Sequence, residues 1–145
     1  MKAIIFDVDG TLADNAHRQH HVQKTPKDWA SFYADLHLDK PYPMVVDLAA
    51  MMQQHYPLLF CSGRLEEYRE TTLRWLADNT PLRVDRLYMR ATGDFRGDDV
   101  VKSELLDRMR ADGFEPWLAV DDRDQVVRMW RERGLLCLQC AYGSF

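Results

Sequence analysis

The chain has 145 residues, 46% of them hydrophobic and 29% charged, which suits one domain spanning 1–145 and leaves no room for two independent cores. No apolar stretch approaches the roughly 18 residues of a membrane-spanning helix, and no signal-peptide core precedes the first strand pattern, so a cytoplasmic location is expected. A formal charge of -4 argues against coating long stretches of nucleic acid by bulk electrostatics, although Arg83, Arg86, Arg90 and Arg96, set beside Gly93 and Gly97, could present a mobile basic loop to a polyanion.

The run Ala3-Ile4-Ile5-Phe6 predicts a buried first strand, because β-branched and aromatic residues in a short continuous run fit a strand covered on both faces. Directly behind it stand Asp7-Val8-Asp9-Gly10-Thr11. Two acids at i and i+2 beyond a strand's C-terminal end lie where open α/β sheets bind ligands. The Gly that follows can take an unusual backbone angle, and the Thr11 hydroxyl can orient either acid. From about Ala13 to Tyr42 comes a polar, His-rich and aromatic insert, predicted helical around Asp28-Trp29-Ala30-Ser31-Phe32-Tyr33. His17 and His21 share the i, i+4 spacing of a zinc pair but no further ligand accompanies them, so the insert's histidines are expected to face solvent or substrate. Trp29, Phe32 and Tyr33 can stack a base, and a small hydrophobic core explains them equally well.

Pro41 and Pro43 end the insert and open a helix whose Val45, Leu48, Ala49 and Met52 share one face. Leu58-Leu59-Phe60-Cys61 predicts the second strand, ending at Ser62-Gly63-Arg64, with Tyr68, Thr72, Trp75 and Leu76 marking the next helix. Leu87-Tyr88-Met89 is the third strand. Asp98 is expected to cap a helix that carries Val101, Lys102, Leu105 and Met109 and stops at Gly113. Trp117-Leu118-Ala119-Val120 is the fourth strand, ending at Asp121-Asp122-Arg123. A helix with Val126, Val127 and Trp130 then leads past Gly134 into the fifth strand, Leu135-Leu136-Cys137-Leu138. Five apolar strands alternating with helices indicate a parallel sheet covered on both faces. Cys61, Cys137 and Cys140 all fall in such runs and are expected as buried, reduced thiols.

In this topology Asp7, Asp9, Ser62, Arg64, Asp121 and Asp122 gather along one rim of the sheet. Four crowded carboxylates call for a hard divalent cation, and Mg²⁺ prefers a few carboxylates plus water and phosphate oxygens. A phosphate group is the natural partner, because Ser62 to Arg64 are expected at a helix start, where anions are favoured. Lys102 either reaches the same point or forms an i, i+4 surface pair with Asp98.

Asp-x-Asp-Gly-Thr, Ser-Gly-Arg, the downstream Lys and the late Asp-Asp resemble the four signature motifs of the haloacid dehalogenase superfamily. IIFDVDGTLA, PMVVDLAAM, CSGR, GDDVVKSELL and AVDDRDQVVRMWRERGL with the closing GSF are similar, nearly end to end, to the phosphatase domains of bacteriophage polynucleotide kinase-phosphatases. The resemblance implies an α/β three-layer sandwich on a five-stranded parallel sheet with a small cap insert. It implies an Mg²⁺-dependent phosphomonoesterase that removes a 3′-phosphate, with 2′,3′-cyclic phosphate as a further substrate, from RNA or DNA ends. Asp7 would be the nucleophile, Asp9 the general acid and base, and Ser62 and Lys102 the holders of the phosphoryl oxygens. Asp7, Asp9 through its carbonyl, Asp121 and Asp122 would hold the metal. Thr11, Arg18, Gly63, Arg64, Arg90 and Asp98 would line the substrate site. The family's kinase half is missing, and no G-x-x-x-x-G-K-[ST] occurs, so no ATP-dependent kinase step is expected of this chain; the resemblance leaves room for a separate kinase or ligase partner.

Two other readings share many of these features. A phosphatase of free nucleotides or other small phosphomonoesters keeps the chemistry and changes the substrate. A non-enzymatic phospho-acceptor of the response-regulator type also uses a five-stranded parallel sheet with clustered acids and a Lys, but its acceptor Asp belongs after the third strand, which here ends in Met89-Arg90.

Overall fold

Short apolar runs separated by polar turns give seven strands and six helices across residues 1–145 of the computed structural model. They are β1 (Lys2–Phe6), β2 (Ala13–Asp14), α1 (His20–Gln23), α2 (Trp29–Ala34), β3 (Lys40–Pro41), α3 (Pro43–Gln53), β4 (Leu58–Leu65), α4 (Arg69–Asn79), β5 (Arg86–Arg90), α5 (Asp98–Ala111), β6 (Glu115–Asp121), α6 (Asp124–Glu132) and β7 (Leu136–Gln139). The main sheet is fully parallel, in the order β5-β4-β1-β6-β7. This puts β1, the strand that delivers Asp7, at the centre with β4 and β6 on either side, so all three loops carrying the rim residues emerge together.

Alternation along β1 divides the core. Ala3 and Ile5 pack with Val101, Leu105 and Met109 of α5 and with Val126, Val127 and Trp130 of α6 on one face. Ile4 and Phe6 pack with Val46 and Ala49 of α3 and with Trp75 and Leu76 of α4 on the other. Helices thus cover both faces, as the continuous apolar strands require. The fifth strand departs from the expected pattern: β7 is an edge strand, with Leu136 and Leu138 exposed and only Cys137 buried. Cys140 is also exposed, contrary to expectation, because it follows the end of β7 instead of lying within it; all three thiols are free.

The insert begins and ends in one small clasp. β2 pairs antiparallel with β3, and the Tyr42 N–H donates to the Leu12 carbonyl at 2.8 Å. Because the clasp springs from the loop after β1, the insert is held over the C-terminal edge of the sheet.

Ile5 is 1% exposed in the centre of the α5–α6 face. Ile5→Ala is expected to cost about 2–5 kcal/mol, a large part of a typical domain's stability. Urea denaturation of the two proteins checks this through a lowered midpoint at unchanged slope.

Candidate active site

The loop after β1 winds around the Val8 carbonyl, which accepts from the N–H groups of Thr11, Leu12 and Ala13. Gly10 turns this loop at φ 79°, and a Cβ there would collide with the Asp122 carboxylate. Only glycine serves both the backbone angle and the close approach. Asp7 is then fixed from two sides. Thr11 Oγ1 donates to Asp7 Oδ2 at 2.9 Å, and Lys102 Nζ donates to Asp7 Oδ1 at 2.8 Å. Lys102 also donates to Asp121 Oδ2 at 3.0 Å, where the Trp130 indole N–H adds a bond at 3.2 Å. Lys102 therefore faces the acids and makes no surface pair with Asp98, which closes the alternative left open by spacing.

Asp7, Asp121 and Asp122 are all buried and offer oxygens within 4.8 Å of one another. Burial first, and then Asp121, push Asp7 well above the ordinary carboxylate range against the pull of Lys102. Burial and Asp121 likewise push Asp122 up to about 6. Burial alone would lower Lys102, but Asp121 and Asp7 raise it well above its ordinary value. One ammonium cannot neutralise three carboxylates, so the cluster retains negative charge and oxygen ligands that suit a hard divalent cation.

Asp9 lies in a different ionic group. Arg64 grips it with Nε at 3.0 Å and Nη2 at 2.7 Å, and Arg18 Nη2 adds a bond at 2.7 Å. Behind them Asp39 receives Arg18 in a two-pronged pair, both bonds 2.8 Å long, together with Arg64 at 3.3 Å and His17 Nε2 at 2.6 Å. Thr72 accepts from Arg64 and the Trp75 indole donates to the Asp39 carbonyl. Burial pulls Asp9 upward, yet Arg64 and Arg18 outweigh it and hold the carboxyl at about 2. Asp39 was not singled out in the sequence, and Thr72, Trp75 and Trp130 were read only as packed faces of their helices. Two buried arginines bearing on one Asp9 implied a further acid, but no spacing rule points to a residue at the insert's return, 32 positions beyond Asp7.

One expected helix start is absent and another is capped differently. β4 continues through Ser62-Gly63-Arg64 to Leu65, and α4 begins only after a short 3₁₀ turn at Glu66–Tyr68. The shift in register against β5 between Ser62 and Leu65 lets the strand run on where a turn was expected. No helix dipole therefore backs Ser62, whose Oγ accepts the Arg64 N–H at 3.1 Å. Asp98 does not cap α5 either: Gly97 holds the cap position without a side-chain bond. The Asp98 carboxylate instead takes Arg90 at 2.7 Å and Arg123 at 3.7 Å, and a Cβ on Gly63 would strike it.

The expected free basic loop is also absent, because three of its four arginines have intramolecular partners and Arg86 lies over the Phe114 ring. Arg90 donates to the Gly63, Asp94 and Arg96 carbonyls, Arg96 pairs with Asp94 and Glu104, and Arg83 pairs with Asp85. Above the acids opens a cleft of about 600 Å³ that reaches Asp7, Asp9, Gly63, Arg64, Arg90, Asp98, Lys102, Asp121 and Asp122. Thr11, Ser62 and Arg18 are fully buried and do not line it. His17 is engaged by Asp39, and the one potential metal cluster is acidic, without a histidine.

A haloacid dehalogenase-like hydrolase from Streptococcus pneumoniae shares this fold at a TM-score of 0.69 over 94% of this chain and 83% of that one, with 14% identity. A class C acid phosphatase from Bacillus anthracis aligns at 0.64 over 86% and 52%, with 17% identity. These two likenesses show the fold, a parallel sheet with an acid-bearing central strand. The family model described as "Polynucleotide kinase PNKP phosphatase domain" matches residues 1–145, so the chain belongs to that family and is a phosphoric monoester hydrolase. The solved "Structure of Pnkp1/Rnl/Hen1 complex" contains a chain 36% identical to it, with a TM-score of 0.83 over 99% of this chain and 47% of that one. A second, the "Structure of the Pnkp1/Rnl/Hen1 RNA repair complex", gives 35% and 0.80 over 99% and 43%. The chain therefore spans about half the length of these relatives.

Because Asp9 titrates at about 2 when folded and near 3.8 otherwise, its ionised form stabilises the fold at any pH above about 4, and that contribution fades as pH falls through 2. Its size is about 2 kcal/mol. Acid titration of stability is expected to show a shallower loss between pH 4 and pH 2 in Asp9→Asn than in the wild type. Equal slopes would separate Asp9 from the acid transition.

Proposed function

We propose that this chain removes the 3′-phosphate from nucleic-acid ends, RNA ends foremost, and opens 2′,3′-cyclic phosphates at the same site. The carrying observation is Asp7: a buried carboxylate oriented by Thr11 and Lys102 at the floor of an open cleft, at the centre of the acid cluster. Family membership and the repair-complex relatives support the nucleic-acid substrate. They also support work beside a separate kinase or ligase, and the unpaired thiols support a cytoplasmic setting.

In this reading the whole chain acts as one phosphatase domain capped by its own insert. Asp7 attacks phosphorus, the bond to the 3′ oxygen breaks, and Asp9 protonates the departing alkoxide. Water then attacks the aspartyl-phosphate, Asp9 accepts its proton, and inorganic phosphate leaves. The structure adds a condition to this cycle. Clamped at about 2, Asp9 begins ionised, ready as the base of the second step. To hold a proton in the first step it needs Arg64, which lines the cleft, drawn toward substrate oxygens. Arg18, buried behind it, serves Asp9 as a positioning residue. Lys102 relieves the repulsion between the incoming phosphate and Asp7, and Ser62 steadies the backbone of Arg64 from beneath.

Asp7, Asp121, Asp122 and the Asp9 carbonyl would hold Mg²⁺, whose chemistry when bound is to neutralise the carboxylates and phosphate oxygens so that two anions can meet. As pH rises through about 6, Asp122 sheds its proton and the cluster becomes a stronger cation site. Millimolar Mg²⁺ is accordingly expected to raise the melting temperature more at pH 7.5 than at pH 5. Equal shifts would count against this ligand set.

Asp7→Asn is expected to abolish phosphate release from 3′-phosphorylated, 2′,3′-cyclic and mononucleotide substrates while keeping the circular dichroism of the wild type. Comparing those substrates with a 5′-phosphorylated oligonucleotide in the wild type tests the end preference. Faster turnover of free nucleotides than of 3′-phosphorylated oligonucleotides would shift the substrate to small phosphomonoesters.

A further inference from the structure

The insert holds a row of aromatic rings that its own core does not account for. Phe32 is 7% exposed and belongs to that core. Trp29 is 49% exposed and lines the cleft together with Tyr33. Tyr33 lies on Tyr68 with ring centres 4.5 Å apart and planes 11° from parallel, and Trp29 continues the row at 6.1 Å and 28°. Phe32 meets both edge-on, at 5.5 Å from Trp29 and 5.4 Å from Tyr33. Phe95, 84% exposed, lines the same cleft from a loop whose backbone Arg90 holds through the Asp94 and Arg96 carbonyls. Two large aromatic side chains left in water along a single cleft expose apolar area that a flat ligand would cover.

The row also touches the reaction machinery. The Arg18 guanidinium stands 4.3 Å over the Phe32 ring and bonds to Asp9 through Nη2, while its Nη1 is buried without a partner. Charge suits a nucleotide as well: Lys27 Nζ lies 5.7 Å over the Trp29 ring, and Arg90, Arg123 and Lys102 line the same cleft. A base stacks on aromatic rings whatever its hydrogen-bonding edge, and nearby cations take the phosphates.

We propose that Trp29, backed by Tyr33 and Tyr68, forms the platform on which the base of the 3′-terminal nucleotide stacks, with Phe95 lining the same cleft. This rests on the nucleic-acid reading above and goes beyond it by naming the insert as the element that recognises a nucleoside, without preference among bases. It gives Trp29, a residue no catalytic step requires, a measurable function.

The test compares wild type, Trp29→Ala and Trp29→Phe on two oligonucleotides carrying a 3′-terminal phosphate, one with an intact terminal nucleotide and one with an abasic terminal residue. Trp29→Ala is expected to raise KM on the intact substrate roughly tenfold or more, with kcat nearly unchanged. The abasic substrate should lose no more than about twofold, and Trp29→Phe should recover most of the affinity. As a readout independent of turnover, the tryptophan fluorescence of Asp7→Asn should be quenched by the intact oligonucleotide and much less by the abasic one. Equal losses on both substrates, no loss on either, or equal quenching would overturn the platform while phosphate release by the wild type left the nucleic-acid reading standing. Wild-type protein that hydrolyses small phosphomonoesters but neither oligonucleotide would overturn both.

Discussion

Lys102 carries its charge at 1% exposure, held between Asp7 and Asp121. A buried ammonium costs several kcal/mol in lost hydration and persists only when its partners are fixed in place. The three residues come from α5, the loop after β1 and the end of β6, so the ion group ties the position of α5 to two central strands. Val101, Leu105, Leu106 and Met109 pack α5 against the sheet, and this apolar contact sets the height at which the lysine meets the rim. Packing and charge therefore determine each other, and the open cleft forms above their junction.

A second ionic group is layered on the first. Asp39 comes from the insert, Arg64 from β4 and Arg18 from the insert's first turn, and together they grip Asp9. The insert is thereby coupled to the carboxylate assigned to proton transfer. Movement in the insert can influence that carboxylate through one guanidinium, without any rearrangement of the sheet. Dividing the four acids between a lysine-bearing acidic cluster and an arginine clamp also explains how they coexist in one small site.

Family membership, a polynucleotide-type fold and an acidic net charge fit together once the arginines are placed. Arg90, Arg96 and Arg83 stabilise loops and bind their own acids, so the surface is not a general polyanion track. The proposed handling of a strand's end calls for a confined site with a few cations and an apolar face, and the cleft has both. Exposed aromatic rings can hold an end without the strong salt dependence of many phosphate contacts.

Much of this was legible in the chain alone. Strand positions followed from apolar runs, and the rim residues Asp7, Asp9, Asp121 and Asp122 followed from acids placed just after those runs, because parallel strands must all end at the same edge. Spacing left Lys102 between the rim and a surface pair, and only the fold placed it among the acids. Local pattern could not say where side chains of the insert and the loops would point, since that depends on contacts between residues far apart in sequence. Asp39 as the partner of Arg18 and Arg64, the continuation of β4 through Ser62, the turn of Asp98 toward Arg90 and Arg123, the neutralised basic loop and the exposure of Cys140 were decided only by the folded chain. In each case a charge or a strand end found its partner through space, and periodicity along the sequence carries no record of that.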